Sequence, residues 1–193
     1  MIDLSTCKYI VISVMGPHAG ESENEIFNRK IRDTRNYGLT FWLMKSYQAK
    51  PVMVQNICYK AIEEKTACYT MFIEASLKGG ATPTKTASIA SQYSNDNLNW
   101  NPIPNGISPV TGKIDNHTFA LVFDELQVVG DVIDLWGYAN FFNQDSPIRI
   151  MQGASTICAV KKDMRNHVEK IKSRYRNIIA VGKMHEPFCV YLK

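Results

Sequence analysis

The stretch Lys8-Tyr-Ile-Val-Ile-Ser-Val-Met15 decides the fold, because apolar β-formers occupy both odd and even positions in it. Both faces of such a strand must be buried, which is typical of strands in a sheet covered by helices. The strand leads into the small-residue turn Gly16-Pro-His-Ala-Gly20, and a charged segment starts at Ser22. Together these features predict the first half of a βαβ unit, the place where α/β proteins often bind anions.

The charged segment that follows has the start and stop signals of a helix. Ser22 and Glu25 have the spacing of a capping box, in which each side chain accepts from the backbone N–H of the other residue. Acidic residues in the first turn suit the positive end of the helix dipole, and Gly38 is placed to end the helix. We expect a surface helix between Ser22 and Gly38.

Two further strands, Leu39–Met44 and Ala67–Leu77, flank a second helix over Pro51–Glu64. The apolar side of that helix is predicted to consist of Val54, Ile57, Cys58 and Ile62. Because the order is strand, helix, strand, helix, strand with short links, the pattern predicts parallel pairing of the three strands.

The segment 78–116 differs in composition from the chain before it. It contains Gly79-Gly80, four prolines and many asparagines, and it shows little periodicity. We interpret it as a long loop or insertion within a single domain that covers 1–193, with one short helix near 83–93. Long loops of this kind often bind ligands or partners. Trp100 is therefore a candidate ligand contact, with packing of the loop as the alternative.

The remaining chain is predicted to form mostly strands. These are Thr118–Val129, Val132–Phe141, Ile148–Val160, Asn177–Val181 and Phe188–Leu192. Turns are predicted between them at Gly130-Asp131, Asn143–Pro147 and His185–Pro187. Apolar spacing from Met164 to Tyr175 predicts one late helix, Lys161–Tyr175. The fold class is therefore α/β to α+β, with a mixed central sheet, a βαβαβ start, a long inserted loop and a mostly antiparallel C-terminal half.

Composition and cysteine usage restrict the class of protein. The chain is 45% hydrophobic and 21% charged, and it lacks both an apolar run of membrane-spanning length and a signal-peptide pattern. We expect a cytoplasmic protein with no membrane partner. The five cysteines form no C-x-x-C pair, which favours buried thiols in a reducing compartment, with Cys7 the most exposed of them. The spacing predicts no metal site and does not indicate a cofactor.

Positive charge is concentrated near the C-terminus. Nine lysines and arginines and three acidic residues lie between Lys161 and Lys193, whereas the whole chain has 22 and 18. This asymmetry favours an anionic partner, either nucleic acid or a nucleotide.

Two groups of residues are candidates for binding such a partner. In the turn after the first strand, Gly16, Gly20 and Ser22 are placed to bind an anion, and His18 is a candidate catalytic residue because it titrates near neutral pH. In the predicted late helix, the candidate phosphate contacts are Lys162, Arg165, Lys172, Arg174 and Arg176. The alternative is that the glycines only shape the turn and the basic side chains only solvate a helix.

Three functional hypotheses follow. The leading one is binding of a phosphate-bearing ligand, with hydrolysis of that ligand as an extension. The second is a non-catalytic interaction protein or homo-oligomer that uses the 78–116 loop. The third is a small-molecule enzyme that uses His18 with Cys7 or a carboxylate.

Overall fold

The computed structural model describes residues 3–15, 21–45, 49–74, 88–115, 117–149, 156–167 and 175–193, except for the side chains of Ser5, Lys45 and His167. Its α-helices are α1 (Glu23–Tyr37) and α2 (Pro51–Glu63). Its strands are β1 (Tyr9–Met15), β2 (Thr40–Lys45), β3 (Cys68–Glu74), β4 (Ser88–Ile89), β5 (Gln92–Ser94), β6 (Asn101–Pro102), β7 (Thr111–Gly112), β8 (Thr118–Asp134), β9 (Tyr138–Asn140), β10 (Asn143–Pro147), β11 (Thr156–Lys161) and β12 (Tyr175–Leu192). Short 3-10 turns cover Leu4–Thr6, Leu135–Gly137 and Arg165–His167.

A mixed sheet of ten described strands forms the centre of the fold, as the sequence predicts. Its order is β10-β9-β11-β1-β3-β12, and β8 and then β2 continue beyond β12. β5 and β6 extend the sheet from the last residues of β12. Only β1 and β3 pair in parallel among the described strands, and the other pairs are antiparallel. β1 therefore lies in the middle of the sheet and is buried at all seven positions, as its sequence requires.

The prediction that β1, β2 and β3 are all parallel is wrong for β2. This strand lies at the far edge of the sheet, paired antiparallel with β8 from Thr40 opposite Phe123 to Lys45 opposite Thr118. Helix α1 packs on β8 and β2, so the chain crosses the sheet before it returns through α2 to β3 beside β1.

The first two predicted helices are confirmed. The capping box of α1 forms, since the Ser22 hydroxyl accepts from the Glu25 N–H at 3.3 Å and Glu25 Oε2 accepts from the Ser22 N–H at 2.7 Å. Gly38 ends α1 in the left-handed region at φ 77°. In α2 the buried residues include Val54, Ile57 and Cys58, but the predicted Ile62 is 52% exposed. Ala61 occupies the buried position instead.

The predicted late helix is wrong for residues 161–167, which form the end of β11 and a 3-10 turn. The backbone N–H of Lys162 donates to Gly137 O at 2.9 Å and that of Met164 donates to Trp136 O at 2.7 Å. Because these donors bond to another segment, they are not available for helical bonds. Of the remainder, 168–174 lie outside the described residues, and Tyr175 begins β12 and is not helical.

Two predicted turns are replaced by continuous strands. β8 runs through Gly130-Asp131 without reversing, and β12 continues through His185–Pro187, where its register with β8 shifts between Met184 and Cys189. The predicted turn Asn143–Pro147 forms the edge strand β10. The C-terminal half is mostly antiparallel, as predicted.

The segment 88–115 covers one face of the β2, β8 and β12 part of the sheet. Its Ala90, Ile107 and Val110 are buried against a group of sheet residues, namely Phe41, Ala120, Val122, Val190 and Leu192. It contains the short strands β4 to β7, so the short helix predicted near 83–93 is wrong over 88–93; residues 83–87 lie outside the described ranges.

Candidate ligand-binding cavity

A cavity of about 420 Å³ opens at the β10 edge of the sheet, and we call it the edge cavity. The start of α2, the β9–β10 hairpin and the start of β11 form its walls. Its polar lining residues are Asn140, Asn143, Ser146, Arg149 and Thr156, and its apolar lining residues are Ala49, Met53, Phe142, Pro147, Ile157 and Cys158. A volume of this size is within the range of about 300–1,000 Å³ that is usual for small-ligand sites.

Every polar side chain that lines the edge cavity in the described structure can donate a hydrogen bond. The amide oxygen of Asn140 accepts from the backbone N–H of Phe142 at 2.9 Å and of Asn143 at 3.2 Å. The amide oxygen of Asn143 accepts a longer bond, 3.4 Å, from the Asp145 N–H. Since backbone N–H groups can only donate, these contacts fix which end of each amide is oxygen, and both NH2 groups are left as donors.

Arg149 is the one charged side chain among the described lining residues, and it is exposed. Its guanidinium makes no hydrogen bond or ion pair with the described part of the chain. A guanidinium presents several N–H donors in a planar fork that matches phosphate and carboxylate oxygens. None of the described lining residues carries a carboxylate that could neutralise the charge of Arg149.

Thr156 lies at the base of the edge cavity. It begins β11, opposite Ser13 of β1, and is fully buried. Its hydroxyl oxygen has no hydrogen-bond partner among the described residues. A buried hydroxyl without a partner is unfavourable by about 1–3 kcal/mol, so a ligand oxygen within reach of Thr156 would recover a hydrogen bond.

The first turn of α2 borders the edge cavity through Ala49 and Met53. Pro51 occupies the first turn and the Lys50 side chain does not cap it. A helix start of this kind carries a partial positive charge from its backbone N–H groups. The electrostatic potential at the start of α2 is therefore positive, as it is at the Arg149 guanidinium.

Among the described apolar lining residues, Phe142 presents an exposed aromatic ring at the cavity wall. Phe142 is 46% exposed, and its ring makes an edge-to-face contact with Phe141, with centroids 4.9 Å apart and an interplanar angle of 85°. Phe141 in turn packs edge-to-face on Tyr9 of β1. These contacts orient Phe142 at the cavity wall while nearly half of its surface stays open to a ligand.

Cys158 lines the cavity but is not suited to nucleophilic chemistry. Its thiol lies 3.7 Å from the Met53 carbonyl oxygen, which it can contact as a weak donor between β11 and α2. Burial raises the pKa of Cys158 well above the usual range, and the nearby Cys68 thiol adds a smaller effect in the same direction. The thiolate needed for attack is therefore not formed near neutral pH.

Of the basic residues predicted to contact phosphate, Lys162 and Arg165 form local ion pairs. Lys162 Nζ donates to Gln144 O at 2.7 Å and to Asp145 Oδ1 at 3.2 Å, so it holds the β10 strand that carries part of the cavity wall. Arg165 Nε lies 3.2 Å from Asp163 Oδ1. Neither side chain lines the edge cavity.

The other predicted site residues are dispersed. Arg176 is half-buried on β12 opposite Ile133, and Trp100 is half-buried with Lys193 Nζ 5.6 Å from its ring centroid. The Ser22 hydroxyl is engaged in the capping box. The predicted residues that lie outside the described ranges are Gly16, His18, Gly20, Lys172 and Arg174. Their proposed roles stay predictions.

The expectation that Cys7 is the most exposed cysteine is wrong. All five thiols are free and buried, and Cys7 is 1% exposed. Burial, with a smaller effect of Asp3, raises the pKa of Cys7 to about 11. This thiol is therefore not a nucleophile near neutral pH.

Sequence reasoning missed the edge cavity, because Asn140, Asn143, Ser146 and Arg149 have the polar composition of ordinary turns. The available signal was Phe141-Phe142, two aromatic residues that stand between Asn140 and Asn143 in the sequence. Only the antiparallel pairing of β11 with β9 and β1 places Thr156 beside this hairpin.

The described part of the chain contains neither a candidate metal cluster nor a candidate membrane-spanning helix. No group of three or more histidine, cysteine, aspartate and glutamate side chains there could hold a metal ion. Neither described helix is long and apolar enough to cross a membrane. In comparisons with protein-family models, curated proteins and solved structures, no match to this chain was found.

Proposed function

We propose that the protein binds a phosphate-bearing small molecule of nucleotide size in the edge cavity. The observation that carries the proposal is the chemistry of the described lining, in which every polar side chain can donate and no carboxylate opposes an anion. Phosphate oxygens only accept hydrogen bonds from these groups, so donors and acceptors match.

Within this proposal, Arg149 binds the phosphate, because it is the charged lining residue and has no ion-pair partner among the described residues. The start of α2 favours the same anion through its partial positive charge. Thr156 offers a further hydroxyl donor at the base of the cavity. The size of the cavity favours a single nucleotide over a nucleic-acid strand.

The proposal is limited to binding. Hydrolysis needs a general base or a nucleophile near the phosphate. The described lining contains no aspartate, glutamate or histidine, and its one thiol, Cys158, has a raised pKa. The structural data therefore favour recognition of the ligand over attack on it.

Isothermal titration calorimetry with nucleoside 5′-monophosphates and the matching nucleosides tests the proposal. Arg149→Ala should weaken nucleotide binding about tenfold to a hundredfold, since a hydrogen bond to a charged group contributes about 1.5–3 kcal/mol. It should leave nucleoside binding nearly unchanged. Arg35→Ala, at an exposed position of α1, is the matched control. Equal affinity for nucleotide and nucleoside, or equal binding by Arg149→Ala and the parent, would contradict the proposal.

A further inference from the structure

We infer that the β9–β10 turn is a base-binding subsite that prefers guanine to adenine. The inference rests on the proposed function and specifies the ligand of the same cavity. The inference is based on three residues that line the cavity, namely Asn140, Phe142 and Asn143. The turn carries one exposed aromatic ring and two amide side chains whose oxygens accept hydrogen bonds from the backbone of the turn.

Recognition of adenine by an asparagine uses both ends of the amide, because adenine presents an acceptor at N7 beside a donor at N6. The oxygens of Asn140 and Asn143 already accept from backbone N–H groups of the turn. Both lone pairs of the Asn140 oxygen are used in these bonds, so Asn140 cannot offer its oxygen to N6 without breaking one of them. Asn140 is therefore poorly suited to adenine, and Asn143, whose oxygen accepts a single bond of 3.4 Å, adds a second NH2 donor.

Guanine presents two acceptors, N7 and O6, on the corresponding edge. The NH2 groups of Asn140 and Asn143 have no partner among the described residues, so both remain available to donate. The two acceptors of guanine therefore match the two amide NH2 donors of the turn. The match applies equally to hypoxanthine, which has the same N7 and O6 atoms.

Phe142 supplies the stacking surface for the base. Its side chain is 46% exposed, and its edge-to-face contact with Phe141 holds its orientation. Stacking of a base on an aromatic ring is favourable for every base, so Phe142 contributes affinity and the amides contribute selectivity. Lys162 positions the turn through Gln144 and Asp145 without contacting the cavity itself.

Calorimetric titration of the full chain with GMP, IMP, AMP and 7-deaza-GMP tests the inference. GMP and IMP should bind with similar affinity, and AMP should bind at least about tenfold more weakly. 7-Deaza-GMP, which lacks the N7 acceptor, should bind more weakly than GMP. Equal or tighter binding of AMP, together with continued dependence on Arg149, would overturn the guanine preference and leave the proposed function intact. Absence of binding by all four nucleotides would overturn both.

A substitution in the turn gives a second test that does not depend on absolute affinity. Asn143→Asp replaces an NH2 donor by an acceptor, so the ratio of GMP to AMP affinity should fall at least about fivefold. The added negative charge repels the phosphate of both ligands, and its effect largely cancels in the ratio. Asn101→Asp, at an exposed position of β6, is the matched control and should keep the parent ratio. An unchanged ratio in a folded Asn143→Asp variant would overturn the inference.

Discussion

Asp33 of α1 and Ser108 of the 88–115 segment are joined by two hydrogen bonds. The Ser108 hydroxyl donates to Asp33 Oδ1 at 2.7 Å, and the Ser108 backbone N–H donates to Oδ2 at 3.2 Å. The Thr40 hydroxyl adds a bond of 3.0 Å to the same Oδ2, and Lys30 Nζ lies 3.8 Å from it. All four residues are buried. This network fixes the segment to the helix and is not exposed to solvent.

Asp33→Asn should destabilise the protein by about 3 kcal/mol, because it removes the charge that balances the buried Lys30. The asparagine has nearly the same shape, so the loss does not arise from a cavity. Urea denaturation followed by circular dichroism measures the free energy of unfolding. Glu125→Gln, which makes the same carboxylate-to-amide change at an exposed position of β8, is the control. Equal stability of Asp33→Asn and the parent would contradict the role of this network.

Stability should depend on pH through Lys30. Burial lowers the pKa of Lys30 to about 8 from its ordinary 10.5. Between these values the unfolded chain holds a proton that the folded protein has released, so stability rises with pH. The contribution is fully present above 10.5 and is lost as the pH falls through about 8.

Lys30→Met isolates this contribution. The free energy of unfolding of the parent, minus that of the variant, should rise between pH 8 and 10.5, by at most about 1.4 kcal/mol per pH unit. Tyrosines and cysteines that titrate in the same range occur in both proteins and cancel in the difference. A difference that stays flat across this range would show that Lys30 is not the titrating group.

Lys162→Ala should weaken nucleotide binding several-fold while it changes stability by less than about 1 kcal/mol. The reason is that Lys162 restrains β10 through Gln144 and Asp145, and partly exposed ion pairs contribute little to folding. Calorimetric titration and urea denaturation of one preparation separate the two effects. Lys113→Ala, at an exposed position in the 88–115 segment, is the control. Unchanged affinity in Lys162→Ala would exclude a positioning role.

Ser22→Ala should reduce the free energy of unfolding by about 1 kcal/mol, the usual contribution of a helix N-cap. It removes a hydroxyl that bonds both the Glu25 N–H and the Glu25 carboxylate. Urea denaturation measures the loss. Ser91→Ala, whose exposed hydroxyl makes only a 3.5 Å contact with Lys193 O, should change stability far less. A loss in Ser22→Ala no larger than in this control would argue against the cap.

The sequence allowed prediction of elements with local signals. The apolar run of β1 is sufficient to predict that strand, and Ser22, Glu25 and Gly38 are sufficient to predict the ends of α1. The position of β2 was predicted wrongly because pairing with β8 depends on residues almost eighty positions later in the chain. The apolar spacing from Met164 to Tyr175 is helical, but the N–H groups of Lys162 and Met164 bond to the turn at 136–137.

The candidate site was less predictable than the fold. The edge cavity depends on the approach of α2, the β9–β10 hairpin and β11, which no single stretch of sequence encodes. The buried position of Lys30 and Asp33 was also missed, because charged residues on a helix usually indicate its solvent side. Positive charge near the C-terminus was a sound observation, but Lys162 and Arg165 are engaged by Asp145 and Asp163.

β12 connects two parts of the sheet that would otherwise be separate. Residues 178–183 of β12 pair with β3 beside the centre of the sheet, and the last residues of β12 pair with β5. Along its other edge, β12 pairs with β8 in both of these regions. If either part of the sheet separates fully from β12, the other part loses backbone hydrogen bonds as well. The described sheet should therefore melt in one cooperative step, with equal calorimetric and van't Hoff enthalpies. Amide protons of β12 should then exchange mainly by global unfolding.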